Sequence, residues 1–288
     1  MKFLIILAIL ASCAHKTPDA PDPTPTPPPT TTETGREVLD CKGGTIRGPV
    51  KVYKKNGYTV QNCKIVGFEG DGDPIGIDVK RSKDVLIQNN DISEINETDG
   101  NAHIVLVENS DSVRLISNTL HHSLLGSSEA LSYHSLNGEI RGNKIHSINN
   151  IGIDVMGCEE GRGPGKSVVI AENHVYDIGA TPKYVTRKSP ANIYVDCGFD
   201  VLIEKNIVEN GDVGIEIGSE KSKKSENIKV FDNVIRKNRK IGLKVGTGAG
   251  VKGCQIRGND ITDNEENYRD EGKKSGRSDC VAPAGILK

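Results

Sequence analysis

The sequence predicts an all-β solenoid, a right-handed parallel β-helix of about eight three-strand coils, on three observations. First, the pattern apolar, x, apolar, x, x, Asn, x, apolar recurs, with anchors at Asn90, Asn118, Asn143, Asn173, Asn206, Asn233 and Asn259. Cys63 fills the Asn slot of one further copy, and the steps between anchors are 27, 28, 25, 30, 33, 27 and 26 residues. Second, apolar residues hold fixed places around each anchor. Val60, Ile87, Leu115, Ile140, Ile170, Ile203, Val230 and Ile256 stand three residues before it, and Ile65, Ile92, Leu120, Ile145, Val175, Val208, Ile235 and Ile261 two after it. Third, each copy alternates apolar residues, many of them β-branched, and then turns, which is the signal of short strands rather than helices.

A step near 27 residues suits one coil of three strands. Stacked coils lie about 4.8 Å apart, so equivalent residues form ladders along the axis. An Asn at a turn tolerates left-handed backbone geometry and can bond its neighbours above and below. A leucine-rich horseshoe needs regular Leu positions, which are absent. On this ladder the chain resembles right-handed parallel β-helix proteins of the pectate-lyase-like superfamily, over roughly residues 40–265. The resemblance implies the fold. It leaves activity open, because that fold carries lyases, hydrolases, epimerases and non-enzymes.

Taken in order, residues 1–12 read as a signal peptide: one positive residue, Lys2, then an apolar core too short to span a bilayer as a mature anchor. Leu10-Ala11-Ser12-Cys13 resembles a bacterial lipobox, which implies lipidation of Cys13 after cleavage. Ala14, which is not Asp, then favours the outer membrane, so a cell-envelope lipoprotein held by an N-terminal lipid is expected. Residues 13–36 form a tether, with seven of the thirteen prolines between Pro18 and Pro29, a composition that cannot bury a core. Residues 37–265 form the β-helix, and 266–288 a C-terminal cap or tail where the repeat is lost.

The net charge of −2 and the lack of a basic run with interleaved aromatics argue against a nucleic-acid partner. Lys and Arg gather along the chain at Lys221–Lys224 and Lys237–Lys240, which read as solvated loops. A monomer is expected. Apart from Cys13, the six cysteines of an exported chain suggest disulfides. Of the fifteen possible connectivities, the expected one pairs Cys41 with Cys63, near one coil, Cys158 with Cys197, after equivalent strands, and Cys254 with Cys280, which would pin the tail. No Cys or His pair has structural-zinc spacing, and the adjacent His121 and His122 are expected on opposite faces of a strand.

A second set of strands precedes the ladder segments, with Asp78, Asp154, Tyr194, Glu216 and Lys244 at the central position of five of the copies. Side chains alternate along a strand, so this central residue is expected to face solvent. Stacked over the last coils, the row reads Asp154, Tyr194, Glu216, Lys244, with Asp196 beside it. Charges in such a row are either simply solvated or form a site. Long segments frame the row: Glu159–Lys166, and Gly179–Pro190 with Arg187 and Lys188.

Two chemistries fit the row. A carboxyl pair across one intervening coil, near 10 Å, is slightly wide for an inverting hydrolase. Crowded carboxylates raise one another's pKa unless a cation joins them, and the oxygen ligands Asp154, Asp196 and Glu216 suit calcium. Elimination across a uronic acid needs its carboxylate neutralised, by calcium or by Arg187 and Lys188, which would bind substrate. Lys244 or Tyr194 would then act as base or acid if its pKa were lowered. His103 and His134 each read first as structural or surface histidines, with His134 alternatively joining the far end of the groove to bind substrate. The resemblance implies a carbohydrate-active enzyme on an acidic polysaccharide, a β-elimination lyase or related epimerase. The scarcity of aromatics, 4% with no Trp, also argues against a binder of neutral sugars. The alternative is a non-catalytic surface β-helix that binds glycan or a protein partner.

Overall fold

A computed structural model describes residues 30–31, 35–69, 73–97, 100–179, 190–221 and 223–282. The segment expected to be a signal peptide, Cys13, most of the expected tether, Arg187 and Lys188 lie outside the described residues. Three rows of parallel strands wind into a β-helix, and the third row alone forms a nine-stranded sheet. Each apolar position picked out by the repeat points inward. Ile87, Leu115, Ile140, Ile170 and Ile203 stack in register in one row, and Ile92, Leu120, Ile145, Val175 and Val208 in another. All ten are fully buried. Each aliphatic side chain so buried contributes about 1.5–3 kcal/mol, so the stacked ladders supply the solenoid's main driving force.

The asparagine ladder is a continuous hydrogen-bond chain. Asn143 donates its backbone N–H and its Nδ2 to Asn173 Oδ1, both at 2.9 Å, and its Nδ2 also donates to Leu115 O at 2.9 Å. The same arrangement runs from Asn90 to Asn259, and at Cys63 the backbone N–H donates to Asn90 Oδ1 at 3.0 Å. The left-handed residue is not the Asn itself. It is the one before: Asn89, Ser117, Glu172, Lys205 and Asp232 have φ between 53° and 57°, and Gly142 and Gly258 have φ of 65° and 67°. The Asn side chain must point inward to reach the next coil, and the sharp corner is made by its exposed neighbour.

A second corner repeats the device with serine: Ser82 N–H donates to Ser110 Oγ at 3.0 Å, and Ser110 N–H to Ser135 Oγ at 2.9 Å. His121 and His122 depart from the expected opposite faces. His122 has φ 59°, which breaks the alternation and turns its ring onto His121, with centroids 4.7 Å apart. Arg239 and Lys240, expected in a solvated loop, both grip Asp212, at 2.8 and 2.7 Å.

All three expected disulfides form. Cys41–Cys63 closes the first coils, Cys158–Cys197 joins the ends of two adjacent strands, and Cys254–Cys280 pins the tail. After 265 the chain adds one more strand, Glu266–Asp270, stacked on Ile241–Gly248, before leaving the helix. Coils this close leave no room at some glycines. A Cβ on Gly152 would stand 2.4 Å from Asn192 O and 2.7 Å from Val175 Cγ1. Gly152→Ala is therefore expected to cost about 1–3 kcal/mol in a denaturant melt. Alanine at exposed Gly161, which has nothing within 4 Å, should perturb packing far less, although its φ of 81° still disfavours a side chain.

Candidate active site

The row expected from the sequence exists in register. Asp154 on strand Ile151–Met156 pairs with Tyr194 on Ala191–Asp196, Tyr194 with Glu216 on Val213–Ser219, and Glu216 with Lys244 on Ile241–Gly248. Met156 pairs with Asp196, which puts Asp196 beside the row, one strand over and two residues along from Asp154. Together with Glu129 and Glu220 these residues line a groove of about 440 Å³.

The row does not face solvent as expected. Asp154 is wholly buried, and Tyr194 and Glu216 are 6% and 7% exposed. Strand side chains only about 4.8 Å apart screen one another along the ladder. Asn101, Ser127 and Pro190, from the turns, then wall the groove.

Asp154 is the unusual member. Neither of its carboxylate oxygens has a hydrogen-bond partner among the described residues. Burial, and then the charges of Glu129 and Asp196, push its pKa well above the usual carboxylate range. A carboxyl in that setting favours its protonated form. Asp196 accepts the Glu220 backbone N–H at 2.8 Å, which favours its charged form, but burial outweighs this and pushes it up to about 6. Both acids are thus biased toward the protonated form, and Asp154, wholly buried and without a hydrogen bond to favour its charged form, is the better placed as proton donor.

Tyr194 does not meet the condition for a base. Burial and the surrounding carboxylates of Asp196, Glu216 and Asp154 push its phenol up, because its neighbours are anions where cations would be needed. Lys244 is tied down: its Nζ lies 3.1 Å from Glu216 Oε1 and 3.5 Å from Glu271 Oε1, and Thr247 Oγ1 donates to the same Glu216 oxygen at 2.8 Å. As the side chains stand, no three His, Cys, Asp or Glu residues among the described residues meet closely enough to hold a metal ion. The set Asp154, Asp196 and Glu216 expected for calcium therefore does not form a ready cage.

His134 does not reach the groove. It is 1% exposed, and its Nδ1 has no hydrogen-bond partner. Burial and the Arg162 charge lower its pKa to about 3, so it is neutral. The segment 157–165, expected to frame the row, instead folds back over the preceding coils. Asn109 N–H donates to Arg162 O at 3.0 Å, Asn109 Nδ2 to Gly161 O at 2.8 Å, and Arg162 Nε ion-pairs with Glu108 at 3.1 Å. That strap covers His134.

Sequence reasoning missed Glu129. It lies three residues before the outward row on its strand, where the coil turns, so alternation gave no sign of it. His103 Nδ1 bonds Ser132 Oγ at 2.8 Å, and Ser132 Oγ donates to Glu129 Oε2. The His103–Ser132 pair aims the Glu129 carboxylate at the groove beside Asp154, and Ser132 is itself the register neighbour of Asp154. His103 is thus satisfied, as expected, but in service of the site.

A family model described as "Right handed beta helix region" matches residues 102–275. The uncharacterized protein YwoF of Bacillus subtilis (strain 168) is 35% identical over 208 residues, which are 66% of this chain and 43% of that protein. The chain thus spans less than half the length of this relative. Among solved structures, pectate lyase Pel9A superposes with a TM-score of 0.53 at 13% identity, covering 80% of this chain and 56% of that one. An alginate lyase from Paenibacillus sp. str. FPU-7 gives a TM-score of 0.53 at 13% identity, covering 82% and 90%. At such identities the two lyases speak for the fold alone. The in-register ladders and a family match over more than half the sequence agree: the chain belongs to the right-handed β-helix family.

Proposed function

We propose that the protein is a carbohydrate-active enzyme of the cell envelope that cleaves a polysaccharide chain lying in the groove over Asp154. The observation that carries this reading is the buried, unpartnered Asp154 carboxyl set among further acids. A glycosidic oxygen entering the groove would accept the Asp154 proton as its bond to the anomeric carbon breaks. Asp196, ionised above about pH 6, would take a proton from the water that attacks that carbon from the opposite face. Asp154 and Asp196 stand on a diagonal between adjacent strands, where neighbours lie about 7–8 Å apart. That spacing suits an inverting pair, whose carboxyls lie roughly 6.5–9.5 Å apart. Tyr194 and the Lys244–Glu216 pair would hold substrate hydroxyls.

Elimination across a uronic acid is the second reading, favoured by the resemblance to lyases. It needs positive charge at the substrate carboxylate. Lys244, the groove's cation among the described residues, is already engaged by two glutamates, so Arg187, Lys188 or added calcium would have to supply that charge. Should calcium bind, it would neutralise carboxylates of the row and the substrate. The proton chemistry described above runs on this chain's own residues.

Incubation of the protein with a panel of acidic and neutral polysaccharides, with calcium and with chelator, tests both. New reducing ends without absorbance near 235 nm indicate hydrolysis. Both signals together indicate elimination. Silence in both, and in an epimer assay, sinks the catalytic reading and leaves a β-helix that only binds.

We further propose lipidation at Cys13. In bacterial cells grown with a radiolabelled fatty acid, the wild-type chain should carry label and partition with membranes. Cys13→Ser should lose both, and unchanged labelling would contradict the assignment.

A further inference from the structure

A second hollow, of about 580 Å³, lies on the preceding coils, at the corner where the strands of the site row end. Its lining is cationic, with Lys54, Lys55, Arg81 and Lys83 against one carboxylate, Asp111. Lys55 is neutralised by Glu37 at 2.8 Å, and Lys83 lies 3.6 Å from Asp111. Among the described residues Lys54 and Arg81 have no ion-pair partner, and both are exposed. Register makes them neighbours: Tyr53 pairs with Lys80, so the next residues, Lys54 and Arg81, occupy one corner of adjoining coils, both left-handed at φ 53° and 52°. Tyr53, 48% exposed, lies between them. The Lys54 ammonium stands 5.0 Å from its ring centroid, and Arg81 Nη1 donates to its hydroxyl at 3.3 Å. The serine ladder Ser82, Ser110, Ser135 makes a rigid floor, and Gly163 and Pro164 of the strap form a wall.

We propose that this hollow binds an anionic polysaccharide, with its carboxylate or sulfate groups on Arg81 and Lys54 and a sugar ring against Tyr53. Lys54 and Arg81 stand one coil spacing apart, about 4.8 Å, comparable to the length of one sugar ring, so charges borne on two successive sugars meet the two coils. A guanidinium takes a carboxylate or sulfate through two parallel N–H bonds, and the rigid floor keeps it in place. A walled hollow suits a chain better than a flat lipid surface. A single ring is a poor platform for a row of nucleobases. The proposal deepens the cleavage reading by naming its substrate class, yet binding here does not depend on catalysis.

The test uses the full chain carrying Asp154→Asn, run through native gels containing polygalacturonate, alginate, hyaluronate or uncharged dextran. At least one polyuronate should retard it and dextran should not. Lys54→Ala with Arg81→Ala should weaken that retardation tenfold or more at unchanged melting temperature, and Lys54→Arg with Arg81→Lys should restore part of it. Three results overturn the proposal: no retardation by any polyuronate, equal retardation of the double alanine variant, or equal binding to phosphatidylglycerol vesicles or a DNA 20-mer. The two readings fail separately. Binding without any cleavage by the wild type removes the catalytic reading alone. Cleavage of a polyuronate with unchanged KM in the double alanine variant removes this one alone.

Discussion

Asp154→Asn is expected to lower the rate of polysaccharide cleavage by about 10²–10⁴-fold while making the protein more stable at neutral pH. The rate falls because an amide cannot give up the proton that the leaving oxygen needs. The stability rises because of linkage. In the unfolded chain Asp154 ionises near pH 3.9, whereas the fold holds it protonated to much higher pH. Between those values the folded state binds the extra proton, so raising the pH erodes stability until the folded group ionises too. Asp196 adds to the slope: a rise from 3.8 to about 6 corresponds to roughly 3 kcal/mol of stability, fully present below about pH 4 and lost as pH climbs from 4 to 6. Asp154→Asn should flatten this decline without abolishing it. The rate of the wild type should rise through pH 6 as Asp196 ionises and fall again as Asp154 does. Thermal melts and rate profiles between pH 4 and 9 read all of these. A variant with full activity, or with a steeper loss of stability above pH 4, would contradict the assignment of Asp154.

The largest loss of stability is expected from Asn173→Ala, in the middle of the ladder. Asn173 Oδ1 accepts from the Asn143 backbone N–H and from Asn143 Nδ2, while its own Nδ2 donates to Ile140 O at 2.8 Å. The side chain is 1% exposed, so no water can replace these bonds. Two donors of Asn143 and two acceptors, Ile140 O and Asn206 Oδ1, each lose a bond; at about 1 kcal/mol each this gives a loss of about 4 kcal/mol and a fall in melting temperature of order 10 °C. Asn259→Ala, at the half-buried last rung, should cost a third of that or less, since solvent reaches its partners. Equal losses at the two positions would mean that the ladder acts through something other than buried hydrogen bonds.

What could be read from the sequence divides along a physical line. Inward positions repeat because each coil must bury the same faces, so the Ile and Val ladders, the Asn rungs and the register of Asp154, Tyr194, Glu216 and Lys244 were all visible. Backbone conformation at the corners was not. The left-handed residue is whichever polar residue precedes the rung, and Glu172, Lys205 and Asp232 share no side-chain chemistry that marks them.

Electrostatic environment was equally hidden. The sequence shows acids at one register, but not that the row is buried within a walled groove, nor that Tyr194 is ringed by carboxylates instead of cations. The path of the 157–165 strap decides that His134 is shielded, and composition does not reveal a path. Lys54 and Arg81 look like ordinary turn residues along the chain and become a charged pair only through stacking.

The central claim is that Asp154 is held as a protonated acid in an open groove, and its titration tests that most directly. With carbon-13 in the aspartate carboxyls, the resonance missing from Asp154→Asn identifies the group. The account predicts that this resonance keeps the position of a protonated carboxyl at pH 7 and moves only well above it. A resonance that titrates near pH 4, as a solvated aspartate does, would contradict the account and remove the proton donor on which the proposed cleavage depends.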